Sequence, residues 1–338
     1  MDYEFTQKIE LNAPFPITNY TEHLIHLYNY FSRNENDLST EEHIAKGYKP
    51  VMQYLNDLMY SNSIVFIDDI QVPQLNLKVD NTVIVGYSSG IDSTYQALRF
   101  KHEGYNVVLL HLANLNRSYP DEATSCEQFA KYYGFKLIEV DVKHIQTEHW
   151  VDNPLKNQVL CIGLAIDLAL QLGTNKIALG NHESSDISTC HIQYSYTDAI
   201  EVFTPFLESV RSHVNNFEYF PVDKEKIDCF KFITENYPEA LKFVNSCIAP
   251  HRFKKTWNKN AREKFGLETI TDNRCMICTK CIKEYVMLCH IGYMKPNEEY
   301  INHFCNHLRK KGDNLADLRL VVNKNDTNED IINKVLNS

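Results

Sequence analysis

Val83-Ile84-Val85-Gly86-Tyr87-Ser88-Ser89-Gly90-Ile91-Asp92-Ser93-Thr94-Tyr95-Gln96-Ala97-Leu98 is the stretch on which the fold turns. Three β-branched apolar residues read as a buried strand. Ser88–Ser93 reads as a turn, and the apolar spacing after it as a helix. A corner of this kind has two readings. In the plain one, Asp92 or Ser93 caps the helix. In the other, backbone N–H groups at the helix N-terminus and the hydroxyls of Ser88, Ser89 and Ser93 hold a phosphate. Asp92 would repel bare phosphate, and it fits the second reading if it holds a Mg²⁺ ion that bridges to the phosphates. The Gly-Lys-Ser/Thr ending of a Walker loop is absent.

Downstream, strands and helices alternate. STYQALRFKHEG is a helix closed by Gly104, NVVLLHL a strand, DEATSCEQFAKYYG a helix closed by Gly134, and FKLIEVDV a strand. A long apolar helix, NQVLCIGLAIDLALQLG, then leads to the strand KIALG. Strands separated by helices of this length predict an α/β fold, a parallel sheet flanked by helices. Ligands of such sheets bind at the carboxyl ends of the strands. Two loops leave there: Ser88–Ser93, and Gly180-Asn181-His182-Glu183-Ser184-Ser185-Asp186.

Upstream, residues 1–80 carry helical spacing at 21–31 and 51–60 and strand-like runs at 63–70 and 74–79, but no chemical motif. They are expected to form an accessory region, suited to a protein partner. Residues 81–205 make the α/β domain, and 206–338 a C-terminal region with helical segments at 297–309 and 328–336. The 338 residues, 43% hydrophobic and 23% charged, provide for an ample core. No apolar stretch reaches the ~18 residues of a membrane span. The N-terminus lacks the pattern of a signal peptide, which predicts a cytoplasmic protein. A formal charge of −10 argues against a broad nucleic-acid surface.

Ten cysteines without an export signal are not expected to form a disulfide framework. Cys126, Cys161, Cys190 and Cys229 are scattered and read as small buried hydrophobes. Cys275-x₂-Cys278-x₂-Cys281 is different, because three thiolates at this spacing can converge on one tetrahedral Zn²⁺. The fourth ligand is Cys247, Cys289 or His290. With four protein ligands such a site is structural, since no coordination position stays open.

The loop Ser88-Ser89-Gly90-Ile91-Asp92-Ser93 resembles the Ser-Gly-Gly-x-Asp-Ser loop of the PP-loop (N-type) ATP pyrophosphatases, with Ser89 at the first glycine. If that position requires positive φ, serine strains it. Together with Ser246-Cys247 and the downstream cysteines, the chain is similar to 7-cyano-7-deazaguanine synthase and its relatives over roughly residues 80–290. Leu155-Lys156-Asn157 and Thr204-Pro205-Phe206 are looser points of likeness. The likeness implies an adenine nucleotide alpha-hydrolase-like fold, a homodimer, and a four-cysteine zinc site with Cys247 as the fourth ligand. It also implies ATP and Mg²⁺ over Ser88, Ser89, Gly90, Ile91, Asp92, Ser93, Gly180 and Asn181, with Asp92, Ser93 and Asp186 acting on the reaction. The expected reaction is adenylation of a small-molecule or modified-base carboxylate, releasing pyrophosphate, then amide or nitrile formation with loss of AMP. Lys156, Lys176 and Arg211 are candidate phosphate partners. The alternatives are tRNA or nucleobase thiolation, with Cys161 or Cys190 carrying sulfur, and a degenerate relative that only binds a nucleotide or a partner.

Overall fold

The structure, a computed structural model, describes residues 9–22, 24–25, 43–45, 65–67, 74–115, 122–144, 154–182, 196–247, 251–267 and 274–303. Six strands form the main sheet: β1 (Ile9–Asn12), β2 (Thr82–Gly86), β3 (Asn106–Ala113), β4 (Lys136–His144), β5 (Lys176–His182) and β6 (Glu218–Val222). Their order is β1-β4-β3-β2-β5-β6. All neighbours are parallel except β1, which runs antiparallel along β4 with Ile9 opposite His144. The helices are α1 (Ile91–His102), α2 (Glu122–Tyr133), α3 (Pro154–Leu172), α4 (Tyr196–His213), α5 (Lys226–Asn236), α6 (His251–Phe265) and α7 (Thr279–His290).

The apolar runs are continuous rather than alternating because both faces of the sheet are covered. Val83, Val85, Val107 and Leu109 face a core shared with α1, α2, α5 and α7. Ile84, Val108, Leu110 and Ile177 face the opposite core, filled by α3 and α4. The result is a three-layer α/β arrangement, as the strand–helix alternation predicts. Gly104 and Gly134 close their helices at φ +85° and +71°, backbone angles that suit glycine.

The sheet does not follow the expected divisions at residues 80 and 205. β1 lies within the first and β6 beyond the second. Residues 15–25 also pack on α3, where Thr21 Oγ1 donates to the Gly163 carbonyl at 2.9 Å and Phe15, Tyr20 and Leu24 join the core. The segments read as helical at 51–60 and 328–336 lie outside the described residues. Among the described residues, no helix is long and apolar enough to cross a membrane.

The order of strands creates the site. From β2 the chain moves outward through β3 to β4, then returns across β2 to form β5 on its other side. The carboxyl ends of β2 and β5 therefore flank a crevice from which their loops diverge.

Candidate active site

β2 enters the crevice at Gly86, and an added Cβ there would lie 2.5 Å from Leu179 Cδ2 and 2.8 Å from Cys161 Sγ. Glycine is the residue that lets β2, β5 and α3 meet so closely. The chain then folds back on itself. Ser93 Oγ accepts from Ser88 N–H at 3.3 Å and donates to the Gly90 carbonyl at 3.2 Å, closing the loop. Gly90 is the N-cap of α1, and no side chain caps the first-turn amides. The helix thus begins at Gly90 rather than at Asp92 or Ser93, and Ser93 ties the loop together.

Ser89 has φ +53°, in the left-handed region that favours glycine. The strain anticipated for a serine at the pattern's first glycine is thus present, on the order of 1–2 kcal/mol. The Ser89 side chain is fully buried, and its hydroxyl finds no oxygen or nitrogen partner among the described residues; it faces the Cys126 thiol. Its carbonyl accepts the Asn245 N–H at 2.8 Å.

On the opposite lip, β5 continues through Gly180 to His182, and Gly180 lies against the start of α1, where an added Cβ would sit 3.3 Å from the Ser93 nitrogen. Gln96 of α1 donates to the carbonyls of Leu179 (3.0 Å) and Phe220 (3.1 Å), which sets the helix against β5 and β6. Asp92 pairs with Lys226 of α5 at 3.2 Å. Buried atoms around the crevice lack hydrogen-bond partners among the described residues: Asn157 Oδ1, Asn181 Nδ2, Asn245 Nδ2 and Ser246 Oγ. Native interiors leave few such groups, and these lie in the segments that border the crevice.

Beneath the loop lies a set of titratable groups with no motif in the sequence. His111 Nδ1 donates to the Tyr87 carbonyl at 3.0 Å, and burial holds the imidazole below its ordinary value, hence neutral. Cys126 Sγ is 3.6 Å from the same nitrogen, and burial pushes its thiol far up. Burial likewise lifts the Glu122 carboxyl to about 8, against the pull of Lys254 and Lys280. Lys254, itself buried, donates to Asn245 Oδ1 at 3.1 Å. A chain of contacts thus runs from α6 through Asn245 to the strained residue of the loop.

Cys247, Cys275, Cys278 and Cys281 place their sulfurs within 4.8 Å of one another. Cys247–Cys278 and Cys275–Cys281 are 4.0 and 3.9 Å apart. A tetrahedral ion with bonds of about 2.3 Å sets its sulfurs about 3.8 Å apart, so the residues fit one ion. Backbone N–H groups of Cys275, Ile277 and Cys278 donate to the sulfurs at 3.2–3.5 Å, and Cys278 is the N-cap of α7. Both features favour thiolates. Of the three candidates for fourth ligand, the structure selects Cys247; Cys289 and His290 stand at the far end of α7, outside the cluster.

The other sequence candidates are placed as follows. Ser88, Ser89, Gly90, Ile91, Asp92, Ser93, Gly180 and Asn181 converge on the crevice. Asp186 and Cys190 lie outside the described residues, as does the side chain of Lys156. Lys176 is not a phosphate partner, because it starts β5 at the amino end of the sheet, where its Nζ donates to the Asp80 carbonyl at 2.7 Å. Arg211 is exposed in the last turn of α4, away from the loop. Sequence reasoning missed His111, Glu122, Asn245 and Lys254. Only Asn245 carried any hint, by standing two residues before a ligand cysteine.

The structure is a three-layer α/β fold with a glycine- and serine-rich loop at the switch point of its sheet and a separate cluster of four cysteines that could hold a metal ion. The tRNA methyl transferase HUP domain family matches residues 81–161. The tRNA-specific 2-thiouridylase MnmA of Protochlamydia amoebophila (strain UWE25) is 29% identical over 127 residues, covering 31% of this chain. The chain spans about a third, 34%, of that relative's length. Among solved structures, a predicted subunit of tRNA methyltransferase from Methanocaldococcus jannaschii DSM aligns at 18% identity and TM-score 0.28, covering 46% of this chain and 74% of that one. The U34-tRNA thiolase NcsA from Methanococcus maripaludis, with its 4Fe-4S cluster, aligns at 14% identity and TM-score 0.27, covering 68% and 93%. These matches support the PP-loop ATP pyrophosphatase superfamily for the loop-bearing segment, residues 81–161.

Proposed function

We propose that the protein is an ATP-using enzyme that adenylates a carbonyl oxygen of a nucleobase in RNA and replaces that oxygen with sulfur. The observation that carries this is the match of residues 81–161, which include the Ser88–Ser93 loop, to the tRNA methyl transferase HUP domain family, together with the likeness of 127 residues to a tRNA 2-thiouridylase. It favours the thiolation alternative over the carboxylate adenylation and nitrile formation that the sequence resemblance put first.

In this reading, ATP lies with its phosphates over Ser88–Ser93, held by the first-turn amides of α1 and by serine hydroxyls. Asp92, which pairs with Lys226 at 3.2 Å, would be the residue to hold Mg²⁺, and the ion would supply charge neutralisation for the phosphates. The base oxygen attacks the α-phosphorus, the bond to the bridging oxygen breaks, and pyrophosphate departs. The adenylated carbon then accepts a sulfur nucleophile, and AMP leaves with the former base oxygen. A carbonyl oxygen is a poor leaving group, and adenylation makes it a good one. The work of the site is positioning and charge stabilisation. Cys161 lies under the β2 end with its thiol pushed up to about 12 by burial, so it is protonated at neutral pH. As sulfur carrier it would take the outer sulfur of a donor persulfide, bond that sulfur to the adenylated carbon, and need two equivalents of an external thiol to cleave the resulting S–S bond, leaving the thiol as a disulfide. The four cysteines hold zinc, whose filled coordination sphere makes its part structural.

The test is to incubate the protein with Mg-ATP, tRNA and a sulfide or persulfide donor, following AMP, pyrophosphate and thiolated base. Sulfur-dependent thio-base is expected, with Cys161→Ala or Cys190→Ala retaining RNA-dependent AMP formation but losing thio-base. AMP formation that depends on a carboxylate and ammonia, and is indifferent to RNA and sulfur, would overturn the reading in favour of carbon–nitrogen bond formation.

A further inference from the structure

α6, HRFKKTWNKNAREKF, carries six Lys/Arg and a single acidic residue within a chain of net charge −10. Its inner face is Lys254, Asn258, Ala261 and Phe265, all buried. Its outer face exposes Lys255, Lys259, Arg262 and Lys264. The lone acid, Glu263, sits 3.7 Å from Lys259, and both side chains are well exposed, so the pair neutralises little of the face. On the same helix, Phe253 is stacked on Trp257 with centroids 5.1 Å apart and planes 10° from parallel. Phe253 is 36% exposed, while Trp257 is backed by the ligand cysteines. Lys280 is exposed at the start of α7, next to the ligand Cys281 against which Trp257 packs.

Exposed lysines on a helix usually mean only solvation, but this face differs in two respects. It pairs a rigid aromatic platform with the positive charge, the combination that takes an unpaired base on a ring and its flanking phosphates on cations. It is also held beside the crevice. Lys254, on the inner face, donates to Asn245, whose N–H holds Ser89, so the outer face stands about one helix diameter, ~10 Å, from the loop's anchor.

We propose that the outer face of α6, with Lys280, is the surface on which RNA docks. Lys255, Lys259 and Arg262 contact the phosphate backbone, and Phe253, braced by Trp257, stacks an unpaired base. This rests on the reading of an RNA substrate given above and adds where the RNA lies.

The experiment measures binding of the full-length protein to a fluorescein-labelled tRNA transcript by anisotropy, between 50 and 300 mM KCl. The combined variant Lys255→Glu, Lys259→Glu, Arg262→Glu is expected to lose roughly 10–100-fold in affinity at 100 mM salt and about three units of salt slope. Phe253→Ala is expected to lose several-fold in affinity with an unchanged slope. Circular dichroism melting and bound metal, equal to wild type in every variant, confirm that the fold is kept. A charge-reversed variant that binds with wild-type affinity and slope overturns the surface while leaving the RNA substrate standing. Competition by polyglutamate as effective as that by RNA at equal charge also overturns it, marking a general polyanion patch. Wild-type protein that binds no RNA in the lowest salt overturns both readings. Salt-dependent binding through α6 without thio-base formation leaves the surface supported and the sulfur chemistry wrong.

Discussion

The two ends of β2 and β5 are made of the same kinds of residue and are finished in opposite ways. At the amino end, Thr174 Oγ1 donates to the Thr82 carbonyl, Thr82 Oγ1 to Asp80, and Asn106 Nδ2 to Thr82 Oγ1. Asn175 Nδ2 reaches both the Asn216 carbonyl and Glu218. At the carboxyl end, buried atoms of Asn157, Asn181, Asn245 and Ser246 have no hydrogen-bond partner among the described residues, and the backbone of Ser89 is strained. Serines, threonines and asparagines thus pair with one another at one edge of the sheet and border the crevice at the other, so what separates the two ends is which groups find partners and not which residues are polar.

The contrast can be broken by substituting at each end. Asp92→Ala at the carboxyl end should reduce ATP-dependent AMP formation on the order of 100-fold or more, the scale of losing one electrostatic stabiliser. Its unfolding midpoint should stay near wild type, because the pair it forms with Lys226 is partly exposed. A thermal melt beside the AMP assay checks both halves, and an unfolded variant would erase the distinction. At the amino end, Thr174→Val keeps the shape and removes a buried donor. It should cost about 1–3 kcal/mol in a denaturant titration and leave AMP formation intact.

Two smaller effects sharpen the picture of the loop end. Burial raises the Glu122 carboxyl from its ordinary 4.5 to about 8. Because the folded value is above the unfolded one, the benefit of the protonated form is complete below pH 4.5 and is lost as the pH rises through 8. Glu122→Gln should therefore gain on wild type across that window, by about 1–2 kcal/mol once partial exposure and the two lysines are discounted. Denaturant midpoints at pH 5 and pH 8.5 that differ equally for both proteins would contradict the burial argument. The smallest effect is at Ser89, where Ser89→Gly relieves the left-handed backbone and gives up the hydroxyl's contact with the Cys126 thiol. Set against glycine's extra unfolded-state entropy, it should stabilise the fold by about 1 kcal/mol while keeping AMP formation.

Much of this was legible in the sequence where a pattern is local. The β2 to β5 alternation, the helix-closing glycines and the cysteine spacing each depend on neighbours a few residues away. β1 was hidden because Ile9–Asn12 is four residues long and half polar, a strand made by its partner β4 rather than by its own propensity. β6 was hidden because Pro221 interrupts Glu218–Val222 and its pairing with β5 shifts register there. In the site, Ser89 advertised its strain by departing from a glycine pattern. Lys254 and Glu122 did not advertise themselves, since a buried charge is defined by what folds over it and looks like any surface residue in a string. The comparison at the level of reaction was harder still: the same loop serves carboxylates and nucleobases, and no residue of it states which.

One bond described above sets an order of events. The Ser89 carbonyl is held by the backbone of Asn245, more than 150 positions later in the chain. During synthesis, β2, β3 and α1 are complete long before that partner leaves the ribosome, and closing so long a loop carries an entropic cost that only the docked C-terminal region can offset. The stretch that is read first as a nucleotide loop is therefore among the last to take its final shape. A nascent or truncated chain would hold the sheet but not the clamp, so nucleotide affinity would report on completion of the polypeptide itself.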